Sequence, residues 1–302
     1  MITPPTIVGL GEILWDVYPD VAHFGGAPAN FACHAASLGA EAWVVSAVGK
    51  DEDGRRAQQI LAKRGVRGEG IAVDAEHPTG RVDVKLDARG QATYLFQADT
   101  AWDFLSWNES LESLASRCDA VCFGSLGQRS VTARETIRRF VGLVPPEAMR
   151  VFDVNLRLRF YDEETLRTSL HLANVAKLND DELPIVARLC GLPGGSELEM
   201  MQALAKQFDV RLVALTRGAR GALLLAQGEV SECQPPPTQV VDTVGAGDAF
   251  TAAVILGLLH GWPLAEINQR ACAVAAYVCT QRGATPPLPE DLRTPFRPRE
   301  EA

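Results

Sequence analysis

The chain has 302 residues, 47% of them hydrophobic, which is enough to bury a sizeable core and too apolar for disorder to dominate. Lysine and arginine number 29 against 38 aspartates and glutamates, so the net charge of -9 opposes broad docking on nucleic acid or anionic lipid and favours small-molecule partners. The opening MITPPTIVGL has no basic stretch ahead of a long apolar one, and the longest nearly apolar run, Ala249 to Leu259, is too short to span a bilayer; a cytoplasmic location is expected.

In chain order, the first feature is VGLGEILWD, which runs straight on from a first strand without a GxGxxG fingerprint and so argues against a nicotinamide oxidoreductase. Within it, EILWDVY offers a short strand carrying one carboxylate, Asp16, that needs polar partners in an otherwise apolar run. HFGGAPANFACHAASLG follows, with a turn at Gly25 and Gly26 and a helix that Asn30 enters one turn after Pro28. Asn30 alone reads as a structural cap. Together with Asp16 and the Gly25–Gly26 backbone it offers donors and acceptors suited to a polyhydroxylated ligand.

Residues 81–97, RVDVKLDARGQATYLFQ, alternate apolar and polar positions on either side of a short turn ending at Gly90, the pattern of a β-hairpin. Joined by EILWDVY, this hairpin predicts a small sheet outside the main one, about 12–18 and 80–98, placed to act as a lid or a homodimer contact; an edge extension of the main sheet is the alternative. Phe96, Trp102 and Phe104 are available to line the apolar face of a ligand, or to fill the core. From about residue 110, β-branched runs (AVCFGS, RVFDVN, VAKLN, RLVALT) alternate with amphipathic segments at 131–142, 162–172, 180–190 and 196–208. That alternation predicts an α/β fold in one domain over 1–302, three-layer and doubly wound around a mainly parallel sheet. In such sheets ligands sit beyond the carboxyl ends of the strands, where Asp153, Asn155, Asn179 and Thr216 fall.

In KLNDDEL, Asn179 and Glu182 lie one helical turn apart, a spacing that orients waters on a nucleotide-borne Mg²⁺ or, equally, closes a capping box. TRGARGA places Thr216 at a strand end with glycines at 218 and 221 that permit close backbone approach. QPPPT (234–238) reads as a connector. QVVDTVGAGDAFTAAVILGLLHG then reads as a strand end, a tight turn and a helix from Asp248 to His260 closed by Gly261. Free N–H groups at Gly245, Ala246 and Gly247, with the positive end of the helix dipole, make a place for an anion. Asp248 is either an N-cap or, beside a bound anion, a carboxylate whose task is to take a proton. The final helix, around Asn268 to Ala275, is where adenine contacts are expected. The odd number of cysteines (seven) and the absence of CxxC or HxxxH spacing read as reduced core thiols and no His-based metal site.

GGAPAN, NDDE, TRGARGA and DTVGAGDAF, in this order across nearly the whole chain, resemble the ribokinase-like carbohydrate kinases, also called the phosphofructokinase-B family. GEILWDVYPD followed closely by FGGAPANFACHAASLGA is most similar to the bacterial fructokinases. The resemblance implies an ATP- and Mg²⁺-dependent sugar kinase, with D-fructose the foremost substrate and 2-keto-3-deoxygluconate, ribose or a nucleoside as alternatives; a regulator that keeps the fold without the chemistry is the rival from another class. It further implies that Asp248 is the catalytic base and that Gly245, Ala246 and Gly247 form the anion hole. Asp16, Gly25, Gly26 and Asn30 would hold sugar hydroxyls, joined by Asn155 and Arg157 of DVNLRLRF, with Arg159 a surface charge. Asn179 and Glu182 would serve magnesium and phosphate, and Thr216, Gly218 and Gly221 the nucleotide. Asp242, Val244 and Gly283 match a monovalent cation (K⁺) site, although Pro287 stands where some relatives supply a hydroxyl.

Overall fold

Short apolar runs separated by glycine, proline and acidic residues form the strands, as their β-branched content favours. The computed structural model describes residues 3–86 and 92–296. Its strands are β1 (Thr6–Leu10), β2 (Leu14–Val17), β3 (Ala22–Gly25), β4 (Glu41–Gly49), β5 (Ile71–Asp74), β6 (Gly80–Leu86), β7 (Ala92–Phe96), β8 (Ala120–Gly124), β9 (Met149–Asp153), β10 (Val175–Asn179), β11 (Leu212–Thr216), β12 (Ala222–Ala226) and β13 (Glu229–Cys233). A nine-stranded sheet runs β13-β12-β11-β10-β9-β8-β1-β4-β5 and a four-stranded one β3-β2-β6-β7. The large sheet is parallel from β5 to β11, and β12 and β13 extend it antiparallel at one edge.

Central strands of a parallel sheet are apolar on both faces because helices cover both. Here Val8, Leu10, Val45, Phe123 and Phe152 pack on one side, while Ile7, Val44, Val48, Cys122 and Val151 pack on the other. This is the expected three-layer α/β arrangement. The repeating units from AVCFGS to RLVALT form where the periodicity placed them, with helices at Val131–Leu143, Glu163–Leu172, Glu182–Leu189 and Glu197–Phe208 between β8, β9, β10 and β11.

The small sheet also forms as a separate layer: β2 pairs parallel with β6 and antiparallel with β3, and β6 pairs antiparallel with β7. The hairpin turn around Gly90 lies outside the described residues. Leu14, Val82, Trp102 and Leu126 make a private core where this sheet meets the large one. Trp102 is therefore core, only 2% exposed, and Phe104 stacks on His77 at the surface; neither lines a ligand cavity.

The helix Ala246–Leu259 is apolar around its whole circumference because it is enclosed, lying between the helices Ala27–Ser37 and Leu264–Cys279. Gly257 allows the second contact: a Cβ there would come within 2.9 Å of Ile267. Two boundaries differ from expectation. QVVDT is not a strand: Val240 and Val241 are exposed, and the Val241 and Asp242 N–H groups donate to Cys279 O at the end of the helix Leu264–Cys279 instead of to a sheet. The helix also begins at Ala246, two residues before Asp248, because Gly245 supplies the left-handed N-cap. Among the described residues no helix is long and apolar enough to cross a membrane, and all seven cysteines are free thiols.

Candidate active site

A cavity of about 620 Å³ opens beyond the carboxyl ends of the parallel strands, between them and the small sheet. Its floor comes from the two helices with glycine at their mouths. In the first, Gly26 (φ 111°) is the N-cap of Ala27–Ser37, and a Cβ there would sit 2.4 Å from Glu12 O. In the second, Gly245 (φ 80°) leaves its own Cβ position 2.0 Å from Ala284 O. No other residue fits either place.

The helices meet through one hydrogen bond between side chains, Asn30 Nδ2 donating to Asp248 Oδ2 at 2.9 Å. Asp248 makes no capping bond to its own helix, which removes the N-cap reading. Burial pushes its carboxyl up to about 6, the Asp153 charge adds to the rise, and Lys177, Asn30 and Arg157 oppose it. A carboxylate with that affinity, held at the mouth of a cavity, is suited to receive a proton near neutral pH. Gly245 and Gly247 line the cavity beside it, whereas the Ala246 N–H donates to Thr243 O at 3.3 Å.

Asp16, on β2, lines the same cavity, and burial raises its pKa against the pull of Arg157 and His23. Gly25 does not line the wall but makes room for it, since a Cβ there would lie 2.9 Å from Asp16 Oδ2. Asn155, in a left-handed conformation (φ 42°), and Arg157 face the cavity after β9, while Arg159 is exposed elsewhere. Asn179 and Glu182 form a reciprocal cap: Glu182 N–H donates to Asn179 Oδ1 (2.8 Å) and Asn179 N–H to Glu182 Oε2 (2.9 Å). Leu156 N–H donates to Glu182 Oε1 at 2.8 Å, so Glu182 ties the loop after β9 to that after β10. Burial raises its pKa, with Lys177 opposing.

Thr216 lines the cavity, but Gly218 and Gly221 do not. Gly221 answers to the sheet edge instead, where a Cβ would meet Cys233 O at 1.9 Å. Asn268 is fully buried, donating to Ala222 O and Ser231 O, and so holds β12 and β13 rather than a base. Asp242, Val244 and Gly283 do converge, with the Asp242 carboxylate accepting the Val244 and Gly283 N–H groups at 3.0 Å each. Among the described residues no cluster of three or more His, Cys, Asp and Glu could hold a metal.

Two site residues escaped the sequence reading. Lys177, in the middle of β10, donates to Asp153 Oδ1 at 3.1 Å, and Asp153 Oδ2 accepts from Thr251 Oγ1 at 3.2 Å. Its ammonium lies where a Cβ on Gly247 would come within 3.0 Å. Burial pulls its pKa down, but Asp153, Glu182 and Asp248 outweigh that and raise it, so it stays charged. Glu12, before β2, is 2% exposed beneath the Gly26–Ala27 turn, and burial pushes it up to about 7. A lysine inside an apolar strand run and a glutamate between Gly11 and Ile13 were the signals available.

The family model described as pfkB family carbohydrate kinase matches residues 20–291. A fructokinase of Klebsiella pneumoniae is 31% identical over 94% of this chain and 97% of its own length. An aminoimidazole riboside kinase of Salmonella typhimurium is 30% identical over 89% of this chain and 86% of its own. Among solved structures, the fructokinase of Vibrio cholerae O395 with fructose, ADP and calcium ion bound superposes with a TM-score of 0.79 at 26% identity, covering 97% of this chain and 98% of that one. With the glycine turns, the buried carboxylate and these likenesses together, the chain belongs to the pfkB family of carbohydrate kinases, and it is a sugar kinase.

Proposed function

We propose that the protein transfers the γ-phosphate of MgATP to the 6-hydroxyl of D-fructose, with Asp248 as the base. The observation that carries this reading is the placement of Asp248: a carboxylate with a raised pKa, fixed by Asn30, at the N-terminal turn of a helix whose two glycines face a cavity. Asp248 removes the proton from the attacking hydroxyl. The positive end of the Ala246–Leu259 helix, open at Gly245 and Gly247, stabilises charge on the transferred group, and Lys177 lies under the same turn. Asp16, the Gly26 backbone, Asn30, Asn155 and Arg157 hold the sugar; Thr216 lies toward the nucleotide.

The cradle fits phosphate, because Gly245 and Gly247 line it without side chains and the charged Lys177 ammonium lies beside Gly247. A magnesium ion would supply charge neutralisation between the phosphates. Asn179 and Glu182 fit a part in holding its waters, since each Glu182 oxygen keeps a second lone pair after accepting an amide. Asp242 with the Val244 and Gly283 backbone is the matching place for K⁺. The small sheet is placed to close over the cavity and exclude water, with Tyr94 and Phe96 of β7 on its inner wall.

The fructokinase likeness favours fructose, and the riboside kinase likeness keeps a nucleoside as the second substrate to test. ADP release is measured with MgATP and fructose, ribose, 2-keto-3-deoxygluconate, glucose and adenosine, with and without K⁺. Selective turnover of fructose is expected. Turnover of a different alcohol would move the substrate and keep the chemistry, whereas ATP binding without turnover of any would sink both.

A further inference from the structure

We propose that Glu12 is a positioning residue: its carboxyl, carrying a proton, donates to Asn30 Oδ1 and so fixes the direction in which the Asn30 amide presents its N–H to Asp248. The inference rests on Asp248 being the base, and it adds the device that keeps that base ionised and aimed.

Two buried oxygens in the cavity floor have no hydrogen-bond partner among the described residues, Glu12 Oε2 and Asn30 Oδ1. Buried acceptors are ordinarily paired. Both belong to the same small region, because Glu12 Oε1 accepts from Ala27 N–H at 3.3 Å and Ala27 and Asn30 stand one turn apart on one face of the same helix. An ionised glutamate can only accept, as can the amide oxygen, so neither satisfies the other. A protonated Glu12 has one O–H, and that single hydrogen satisfies both. The opposite amide direction turns Asn30 Oδ1 toward Asp248, where two acceptors meet unless Asp248 itself holds the proton. The three side chains therefore share one proton, and its position decides whether Asp248 can act.

The geometry puts it on Glu12: Asn30 Nδ2 already donates to Asp248 Oδ2, which needs no proton of its own, while Glu12 Oε2 and Asn30 Oδ1 are the two oxygens left without a partner, and burial raises the Glu12 carboxyl in the same direction. The groups that face Glu12 are Asp248 from the Ala246–Leu259 helix, which raises its pKa, and Arg157 after β9, which lowers it. From β8 comes the Cys122 thiol, held neutral by burial, and the Leu126–Gln128 turn brings only the Gly127 backbone close. In the working state Glu12 is neutral, Asn30 donates to an ionised Asp248, and the hydroxyl proton moves to Asp248 during transfer. As pH rises through about 7, Glu12 ionises, the O–H is lost, the Asn30 amide is released, and a second negative charge stands near the base. The rate then falls on the alkaline side for a reason that lies outside Asp248.

The test compares the full chain with Glu12→Gln and Glu12→Ala. A glutamine at 12 donates to Asn30 Oδ1 and accepts from Ala27 N–H at every pH. We expect kcat for fructose to fall about 10- to 100-fold in Glu12→Ala with the KM for ATP unchanged, and to be rescued in Glu12→Gln, whose pH profile lacks the alkaline decline of the wild type. The same alkaline decline in Glu12→Gln would overturn the proposal. A second readout needs no turnover: the infrared difference between the wild type and Glu12→Gln should show a carboxylic acid C=O band at about pH 5.5 that has gone at about pH 8.5. Absence of that band at the lower pH also overturns it, even if Glu12→Ala fails to fold. If no alcohol is phosphorylated at all, the fructose reading fails while the infrared band still decides the proton's place.

Discussion

The seam between the helices Ala27–Ser37 and Ala246–Leu259 and the four-stranded small sheet face each other across one cavity and are built in opposite ways. The seam is enclosed, and every polar group in it is answered or awaits one hydrogen: Asn30 on Asp248, Lys177 on Asp153, Thr251 on Asp153. Outside its private core the small sheet is thin, with Tyr94 and Leu95 of β7 exposed on it. Low local dielectric makes the charges of the seam strong and their positions strict, which suits chemistry. Half-exposed strands with few buried neighbours move at low cost, which suits admitting and selecting a substrate.

If this contrast is right, substitutions on the two sides must fail differently. The largest effect belongs to Asp248→Asn, which should lower kcat at least 100-fold while the Kd for ATP stays within about threefold; single-turnover rates with equilibrium titration check this, and a variant keeping more than about a tenth of the rate would remove Asp248 as the base. Gly245→Ala forces a left-handed backbone and a collision with Ala284 O, so ATP affinity and kcat should fall together by about tenfold or more, with a Tm several degrees lower by calorimetry. On the other side, Phe96→Ala removes a ring that lines the cavity and packs edge-on against Phe160 at 5.5 Å. It should raise the KM for the sugar by about tenfold and leave the KM for ATP alone.

A smaller effect concerns stability and pH. Glu12 has a folded-state pKa of about 7 against an ordinary value of 4.5, so the folded chain binds the extra proton between those limits and its contribution to stability is lost as pH rises through that window. The full shift corresponds to about 3 kcal/mol, and urea unfolding at a series of pH values should show a shallower slope in Glu12→Gln than in the wild type, the slope that remains belonging to the raised Asp248 carboxyl. Least of all should Leu95→Ser matter: on an exposed strand position its change in unfolding free energy should stay within about 0.5 kcal/mol, and a larger loss would mean the small sheet is not the loose partner it is described as.

What could be read from the chain alone follows the same division. The βαβ repeats from AVCFGS to RLVALT were legible because strand and helix periodicities are local, and the glycine turns because positive φ and close approach leave few residue choices. Asp16, Asn30, Asn179, Glu182 and Asp248 were found on motif spacing, and the structure brings them to one cavity. Lys177 and Glu12 were missed for a physical reason. Each sits in an apolar run and is accommodated by partners 15 or more residues away, Asp153 for one and Ala27 for the other, and such pairing leaves no local pattern. Trp102, open in the sequence to either a ligand wall or the core, belongs to the private core, and Asn268, in the helix where adenine contacts were expected, holds a sheet edge; both depend on partners far along the chain.

The enclosure of the Ala246–Leu259 helix has an evolutionary consequence. A helix buried continuously from Ala249 to Gly257 and touching neighbours on every side tolerates little change in register or side-chain volume, so the end of the cavity lined by Gly245, Gly247 and Asp248 is difficult to retune. Divergence toward a new alcohol is then channelled into exposed positions of the small sheet that line the cavity, such as Tyr94 of β7, where substitutions leave the folding free energy nearly untouched. A family built on this plan can exchange one acceptor for another while the glycine turn at the mouth of this helix is inherited unaltered.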